Sequence, residues 1–350
     1  MLRRRLSLVS AAEAPFLARL VRGEPLGPPP APDRLARAAT THKVVGYVVQ
    51  AAERGEVSLP EMVRRQLESR RAIDALHGAL LRHELGRVWP LIRDACGVEP
   101  VLIKGPEVAE RLYPQRTLRP FADLDLVVPA ERMRAAAVAL GDELGYETDV
   151  EPWSGYGERH GHEVSLLRPV AAGGLRVELH WRLSDDPVAA PLDHARLLAS
   201  AKRLSLGDGL DVAVPRPEEE LLVLAVHLLH ERYKRLVWVN DVALAARQAS
   251  EAEWLGAFEA ARETGLCWVL DRGLDYAAEY LALDRPRPWS ASKPAPWGPL
   301  RANERFDGWI GTQLGRLALG GWLQRDGYVR SAARARRAQL RQRLAARASR

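Results

Sequence analysis

The chain has 350 residues, 47% hydrophobic and 27% charged, a balance that excludes a disordered or fibrous protein and suits two or three domains, each with its own core. No apolar run approaches the ~20 residues of a membrane helix, and Glu13 and Pro15 interrupt the Arg-rich start before a signal-peptide stretch forms, so the expected location is cytoplasmic. The net charge of +6 belongs to one end: residues 330–350 carry eight arginines and no acid, and without them the chain stands at −2, unlike a body that tracks a nucleic-acid backbone.

Residues 23–33 (GEPLGPPPAPD) form a Pro/Gly connector, and Asp33 reads as the N-cap of a helix reaching about Arg54. A second helix is expected from about Pro60 to Ala95. Its Leu76, Leu80, Leu81, Leu85, Val88 and Leu91 recur at three- and four-residue spacing, and Gly97 ends it. The pattern then changes. VEPVLIKG (98–105) reads as a strand, GPEVAERLYP (105–114) as a short helix, ADLDLVVP (122–129) as an alternating strand, and 130–144 as a helix closed by Gly145. Strands follow at 146–150, 162–169 and 175–183, the last two a hairpin through a Gly-Gly turn. KRLSL and LDVAVP, around GDG, add another hairpin near 202–215. From Pro217 to about residue 283 the pattern is helical, with three glutamates in its first turn. A Pro/Trp-rich loop (285–298) and one more helix complete the reading. The expected fold is α+β, with an N-terminal helical region (1–97), a core (98–216), a C-terminal helical domain (217–329) and an Arg-rich tail (330–350).

Side chains two apart on a strand share a face. Asp123 and Asp125 therefore lie together, with Leu124, Leu126 and Val128 opposite. Glu178 shares a face with Arg176, His180 and Arg182. If the two strands are neighbours, three carboxylates converge, and such anions need a cation or shared protons to coexist. Oxygen ligands suit Mg²⁺ or Mn²⁺, which can clamp both oxygens of a phosphoryl displacement. Strand, Lys104-Gly105 and short helix form a phosphate-binding arrangement. The alternatives are a solvated strand face and a plain strand–turn–helix connection.

The segment VLIKGPEVAERLYPQRTLRPFADLDLVVP (101–129) resembles the signature of a little-characterised bacterial nucleotidyltransferase family of the DNA polymerase β-like superfamily. VELHWRL (177–183) resembles its third motif, and HLLHERYKRLVWVNDVALAAR (227–247) its helical region. The resemblance implies a small mixed sheet flanked by helices, Mg²⁺ and an NTP donor, ATP first. It implies that Asp123, Asp125 and Glu178 hold metal, that Glu178 takes the proton of the attacking hydroxyl, that Gly105 cradles the triphosphate, and that Lys104 and Arg119 neutralise phosphate. Gly105-Pro106 departs from the superfamily's Gly-Ser or Gly-Gly, losing a backbone donor and a hydroxyl. The expected reaction moves a nucleoside monophosphate to a hydroxyl on a small molecule or peptide. An RNA, tRNA or protein acceptor, with the Arg tail assisting, and a non-catalytic binding module are the alternatives.

Other groups carry less. Cys96 and Cys267 make no CxxC and read as buried hydrophobes. His227 and His230, one helical turn apart, are a ligand pair or packed histidines. Asp241 lines the cleft, caps a helix or forms a salt bridge. His160, His162 and His180 are a zinc set without a standard zinc motif. Trp153 and Tyr156 are candidates for base stacking, and Ser154 lacks nucleophile-elbow spacing.

Overall fold

The computed structural model describes residues 13–148, 162–170, 173–184, 194–207, 209–231 and 233–284. Among the described residues the N-terminal part has four helices: α1 (Glu13–Arg22), α2 (Pro32–Thr41), α3 (Val45–Glu53) and α4 (Glu61–Cys96). The single helix expected from Asp33 to Arg54 is two. Ala31 is the N-cap of α2, with Pro32 in the first turn, so Asp33 lies inside the helix. The break falls at His42–Val44, where Val44 N–H bonds to Ala39 O and Lys43 N–H to Thr40 O. That pairing is a Schellman stop, which needs a left-handed residue, normally glycine. Here Lys43 takes it, at φ 56°, so no glycine marked the break. By contrast α4 ends as expected, at a left-handed Gly97. Leu81, Leu85, Val88 and Ile92 of α4 are fully buried, whereas Leu76 stands 57% exposed, off the buried stripe.

The sheet has seven strands among the described residues, in the order β3-β4-β5-β2-β1-β7-β6. They are β1 (Val101–Ile103), β2 (Leu124–Val127), β3 (Glu147–Thr148), β4 (Glu163–Val170), β5 (Gly173–His180), β6 (Lys202–Ser205) and β7 (Asp211–Val214). Both expected hairpins form, β4 with β5 and β6 with β7, each antiparallel. The sheet is mixed: β2 runs antiparallel to β1 and parallel to β5, and β1 runs parallel to β7. Between strands lie α5 (Gly105–Arg111), a 3₁₀ turn (Arg116–Leu118), α6 (Met133–Leu144) and α7 (His194–Ser200). Four helices follow among the described residues, α8 (Pro217–His230), α9 (Leu236–Gln248), α10 (Glu251–Glu263) and α11 (Cys267–Leu281). Ser250 and Glu253 close α10 with a reciprocal capping box. The α+β class therefore holds.

One hydrophobic cluster of buried residues extends from Phe16 to Leu283 and joins the sheet to the helices before and after it. All four residues of β2 are buried, so the polar face expected from its alternation is covered. Central strands are covered on both faces, and Asp125 accordingly sits only 3% exposed.

Candidate active site

Strand register assembles the carboxylates. On parallel strands β2 and β5, Asp125 is the direct partner of Glu178, and Val127 that of His180. Across the β4–β5 hairpin Glu163 is opposite His180. Paired residues of neighbouring strands point to the same face, so Asp125, Glu178, His180 and Glu163 gather on one side. Asp123 immediately precedes β2. Ligand atoms of Asp125, Glu178 and His180 lie within 4.8 Å of one another. Of the expected trio, Asp125 and Glu178 meet directly, with Asp123 beside them within electrostatic reach of both.

Burial makes these charges interdependent. Desolvation, then Glu163, Asp125 and Asp123, push the Glu178 carboxyl up to about 9. Desolvation and Asp125 likewise raise Asp123. Burial also works against ionised Asp125, but Lys104 and His180 outweigh it and hold its carboxyl well below the usual range. Lys104 Nζ and His180 Nε2 each lie 2.9 Å from the same oxygen, Asp125 Oδ1. The cluster thus holds Asp125 ionised and Glu178 protonated near neutrality.

Lys104 reaches Asp125 because Ile103 pairs with Asp125 across β1 and β2. Its own backbone is unusual, at φ 59° and ψ −157°, a region almost confined to glycine. Gly105 follows at φ 50°, where a Cβ would sit 3.5 Å from Asp123 O. Space is available there, so the backbone angle is what calls for glycine. α5, which begins at Gly105, has only seven residues. Its dipole is correspondingly short, and side-chain cations contribute more of the positive field.

Arg119 is engaged elsewhere. It is 5% exposed and forks onto Asp241, with Nη2 at 2.8 Å from Oδ2 and Nε at 3.3 Å from Oδ1. Tyr113 Oη donates to the same Asp241 Oδ1 at 2.7 Å. Asp241, on α9, thus forms a buried salt bridge. Glu107 of α5 lies near this pair, and its burial pushes its carboxyl up to about 7 against the pull of Arg111 and Arg119. Arg111 in turn pairs with Glu220 on α8. These buried charges tie α5 and the following turn to the C-terminal helices.

Two adjoining hollows open beside the carboxylates. One, of about 540 Å³, is lined by Asp123, Ala122, Lys43, Arg176, Arg235 and the Gly173-Gly174 start of β5. The other, of about 600 Å³, is lined chiefly by α4, including Ile73, Leu76 and Leu80, and by Pro120 and Phe121. Lys43, His77 and Ala122 belong to both. Lys43 owes its position to the Schellman stop and to His42, which caps α9 from a distance. Leu236 N–H donates to His42 Nδ1 at 3.1 Å, and Val237 N–H to His42 O at 3.3 Å. Burial, then Arg119 and Arg235, lower the Lys43 ammonium, while Asp123 opposes them.

Sequence reasoning passed over Lys43, Arg235 and Glu163. Glu163 was hidden by the register: a turn centred on Gly173-Gly174 would pair it with Ser184, whereas the strands pair Val170 with Gly173 and so Glu163 with His180. His227 and His230 turn to different partners. His227 sits edge-on to Trp238, with ring centroids 5.2 Å apart, and His230 meets Ser184 Oγ at 3.1 Å. Cys96 is buried, and its thiol is pushed up to about 11 by desolvation. Trp153, Ser154, Tyr156, His160 and the Arg-rich tail lie outside the described residues. No helix among the described residues is long and apolar enough to cross a membrane.

A family described as "uncharacterised nucleotidyltransferase" matches residues 28–282. No curated protein matches the chain.

Proposed function

The chain belongs to the uncharacterised nucleotidyltransferase family, and on that premise we propose that it moves a nucleoside monophosphate from an NTP, ATP first, to a hydroxyl of a small molecule or peptide in the cytoplasm, with pyrophosphate leaving. The observation that carries this reading is the direct pairing of Asp125 with Glu178, with Asp123 alongside. Buried side by side, these carboxylates oppose one another's ionisation, which is the direction in which Glu178 is pushed. An all-oxygen set that wants positive charge fits Mg²⁺ or Mn²⁺, and Asp123, Asp125 and Glu178 are the residues to hold it. An ion held by these residues would supply charge neutralisation for the phosphoryl displacement.

The chain's own residues do the rest by position. Lys43, Arg176 and Arg235 face the hollow beside Asp123 and bind the triphosphate. Lys104 balances Asp125, and the Gly105 turn brings main chain under the phosphates. Arg119, fixed by Asp241, contributes its field to Asp123 rather than a direct phosphate contact. Glu178, once ionised, accepts the proton of the attacking hydroxyl on a carboxylate oxygen. The hollow along α4, partly apolar and sharing Lys43 with the first, receives the acceptor. The near-neutral charge of residues 1–329 favours a small acceptor over RNA.

Calorimetry of the four NTPs, with and without Mg²⁺, tests the reading on wild type and on Asp123→Asn/Asp125→Asn. Metal-dependent binding of at least one NTP, lost in the double variant, is the expected result. A folded protein that binds no NTP with any divalent metal would overturn it.

One observation favours a second reading. Asp125 Oδ1 already receives both Lys104 and His180, and Pro106 follows Gly105 without a backbone donor. A non-catalytic module would use Lys104 in place of metal and bind NTP equally well in chelator.

A further inference from the structure

His180 has a second nitrogen that the carboxylate cluster does not use. Its Nε2 faces Asp125 Oδ1 at 2.9 Å, and its Nδ1 is on the side of the ring away from Asp125. His180 is 2% exposed, and Nδ1 is buried without a hydrogen-bond partner. It points toward Glu163 Oε2 at 3.4 Å, close but not aligned for a hydrogen bond. A buried ring nitrogen left without a partner beside a carboxylate oxygen is a place where a bound ligand would complete the polar contacts. The same Glu163 oxygen is 3.0 Å from His162 Nε2.

We propose that His162, Glu163 and His180 form a second metal site, for a transition ion of the zinc class, behind the Asp125 carboxylate. Ligand atoms of the three lie within 4.8 Å of one another. A tetrahedral zinc with arms of 2.0–2.1 Å has edges of about 3.3 Å between ligand atoms, and the 3.0 and 3.4 Å separations match two such edges. Two imidazoles and one carboxylate select zinc-like ions, whereas the acids on the other side of His180 select hard ones. The hairpin fixes the arrangement, because Glu163 pairs with His180. His162 and Glu163 keep 15% and 26% of their side chains exposed, which gives an ion a way in. With metal on Nδ1 and Nε2–H on Asp125, His180 is the middle of a carboxylate–histidine–metal relay. Occupancy then orients Asp125 from behind.

Cobalt(II) is the probe, because tetrahedral nitrogen and oxygen ligation gives it visible absorption bands. The full chain, stripped with chelator, should develop these bands with the first equivalent of Co²⁺, any further Co²⁺ at the Asp123–Asp125 side adding no tetrahedral bands. Zinc should abolish them stoichiometrically, and millimolar Mg²⁺ should not. Glu163→Gln and His162→Gln should each weaken Co²⁺ binding at least about tenfold, and Asp123→Asn should leave it unchanged. Circular dichroism checks folding, and the wild-type titration stands alone if a variant fails to fold. Absence of the bands in folded wild type would overturn the proposal. So would bands indifferent to both Gln variants, or bands lost to Mg²⁺ and to Asp123→Asn, which would put the ion at the Asp123–Asp125 side.

Discussion

Asp125 and Glu178 are direct partners on two parallel strands, yet the first is held ionised and the second is pushed up to about 9. The difference lies in their neighbours. Asp125 has Lys104 and His180 on one oxygen, whereas Glu178 is acted on by burial and then by three other carboxylates. A carboxyl with a raised folded pKa binds its proton more tightly folded than unfolded. The metal-free protein should therefore lose stability as pH rises from about 4.5 to about 9. Glu178→Gln should remove that slope, making the chelated protein more stable than wild type at pH 8 by at least about 1 kcal/mol, while abolishing metal-dependent turnover. Thermal melts in chelator across pH check the first half. A Gln variant less stable than wild type throughout would show that Glu178 is not under this strain.

Lys104 combines a useful side chain with an unfavourable backbone. Removing the ammonium leaves Asp125 with less compensation in any variant, so Ala and Gly share that loss. They differ in tolerance of φ 59° and ψ −157°. Lys104→Gly should exceed Lys104→Ala in stability by about 1 kcal/mol, measured by urea unfolding. Equal stabilities would mean that the backbone relaxes when the side chain is gone.

Much of the fold was legible because local rules and the final packing agree. α4 ends at Gly97 as its sequence says, and β6 pairs with β7 about the GDG turn, whereas Gly173 and Gly174, read as the turn of the other hairpin, are the first paired residues of β5. The helix read through residues 42–44 failed because a lysine occupies a glycine's conformation. The carboxylates could be named from strand alternation, since Asp125 and Glu178 each sit beside apolar neighbours. Their burial could not, because it depends on what covers the polar face. Lys43 and Arg235 were hidden for a different reason. They meet Asp123 only through the capping of α9 by His42, a long-range contact without a periodic trace. Arg119 was visible as a cation, but its partner, Asp241, lies on a helix far along the chain.

Breaking that buried pair should cost folding energy before it affects chemistry. Arg119→Ala or Asp241→Ala leaves an uncompensated buried charge, a loss of roughly 3–5 kcal/mol. The double variant should be less destabilised than the sum of the two, as interacting partners require. A urea double-mutant cycle measures the coupling. Additive losses would mean that Arg119 and Asp241 act independently.

His42 gives the protein an acid-sensitive joint. Burial, then Arg235, lowers its imidazole to about 4, and Nδ1 must be unprotonated to accept from Leu236 N–H. The unfolded chain takes up this proton near pH 6.5, so it binds more protons than the folded state between about 6.5 and 4. Stability from this group is complete above pH 6.5 and is lost as pH falls through that window, up to about 3 kcal/mol. His42→Asn, which keeps a side-chain acceptor, should flatten the acid limb of the stability curve. An unchanged limb would assign it to other groups, with His230, also lowered to about 4, next in line.

Lys43 allows binding to be separated from folding. It lines both hollows, and its left-handed backbone at φ 56° is one that glycine adopts without strain. Removing a Cβ there relieves about 1 kcal/mol of strain and adds a similar entropy cost on folding. Lys43→Gly should therefore keep the stability of wild type within about 1 kcal/mol. The same change removes a cation from the hollow beside Asp123, and a partly desolvated contact to phosphate contributes about 1.5–3 kcal/mol. NTP affinity should fall roughly 10- to 100-fold, with a weaker dependence on salt. Calorimetry beside urea unfolding reads both effects on one sample. Full affinity in a stable Lys43→Gly protein would move the triphosphate away from this lysine and toward Arg176 and Arg235 on the same hollow.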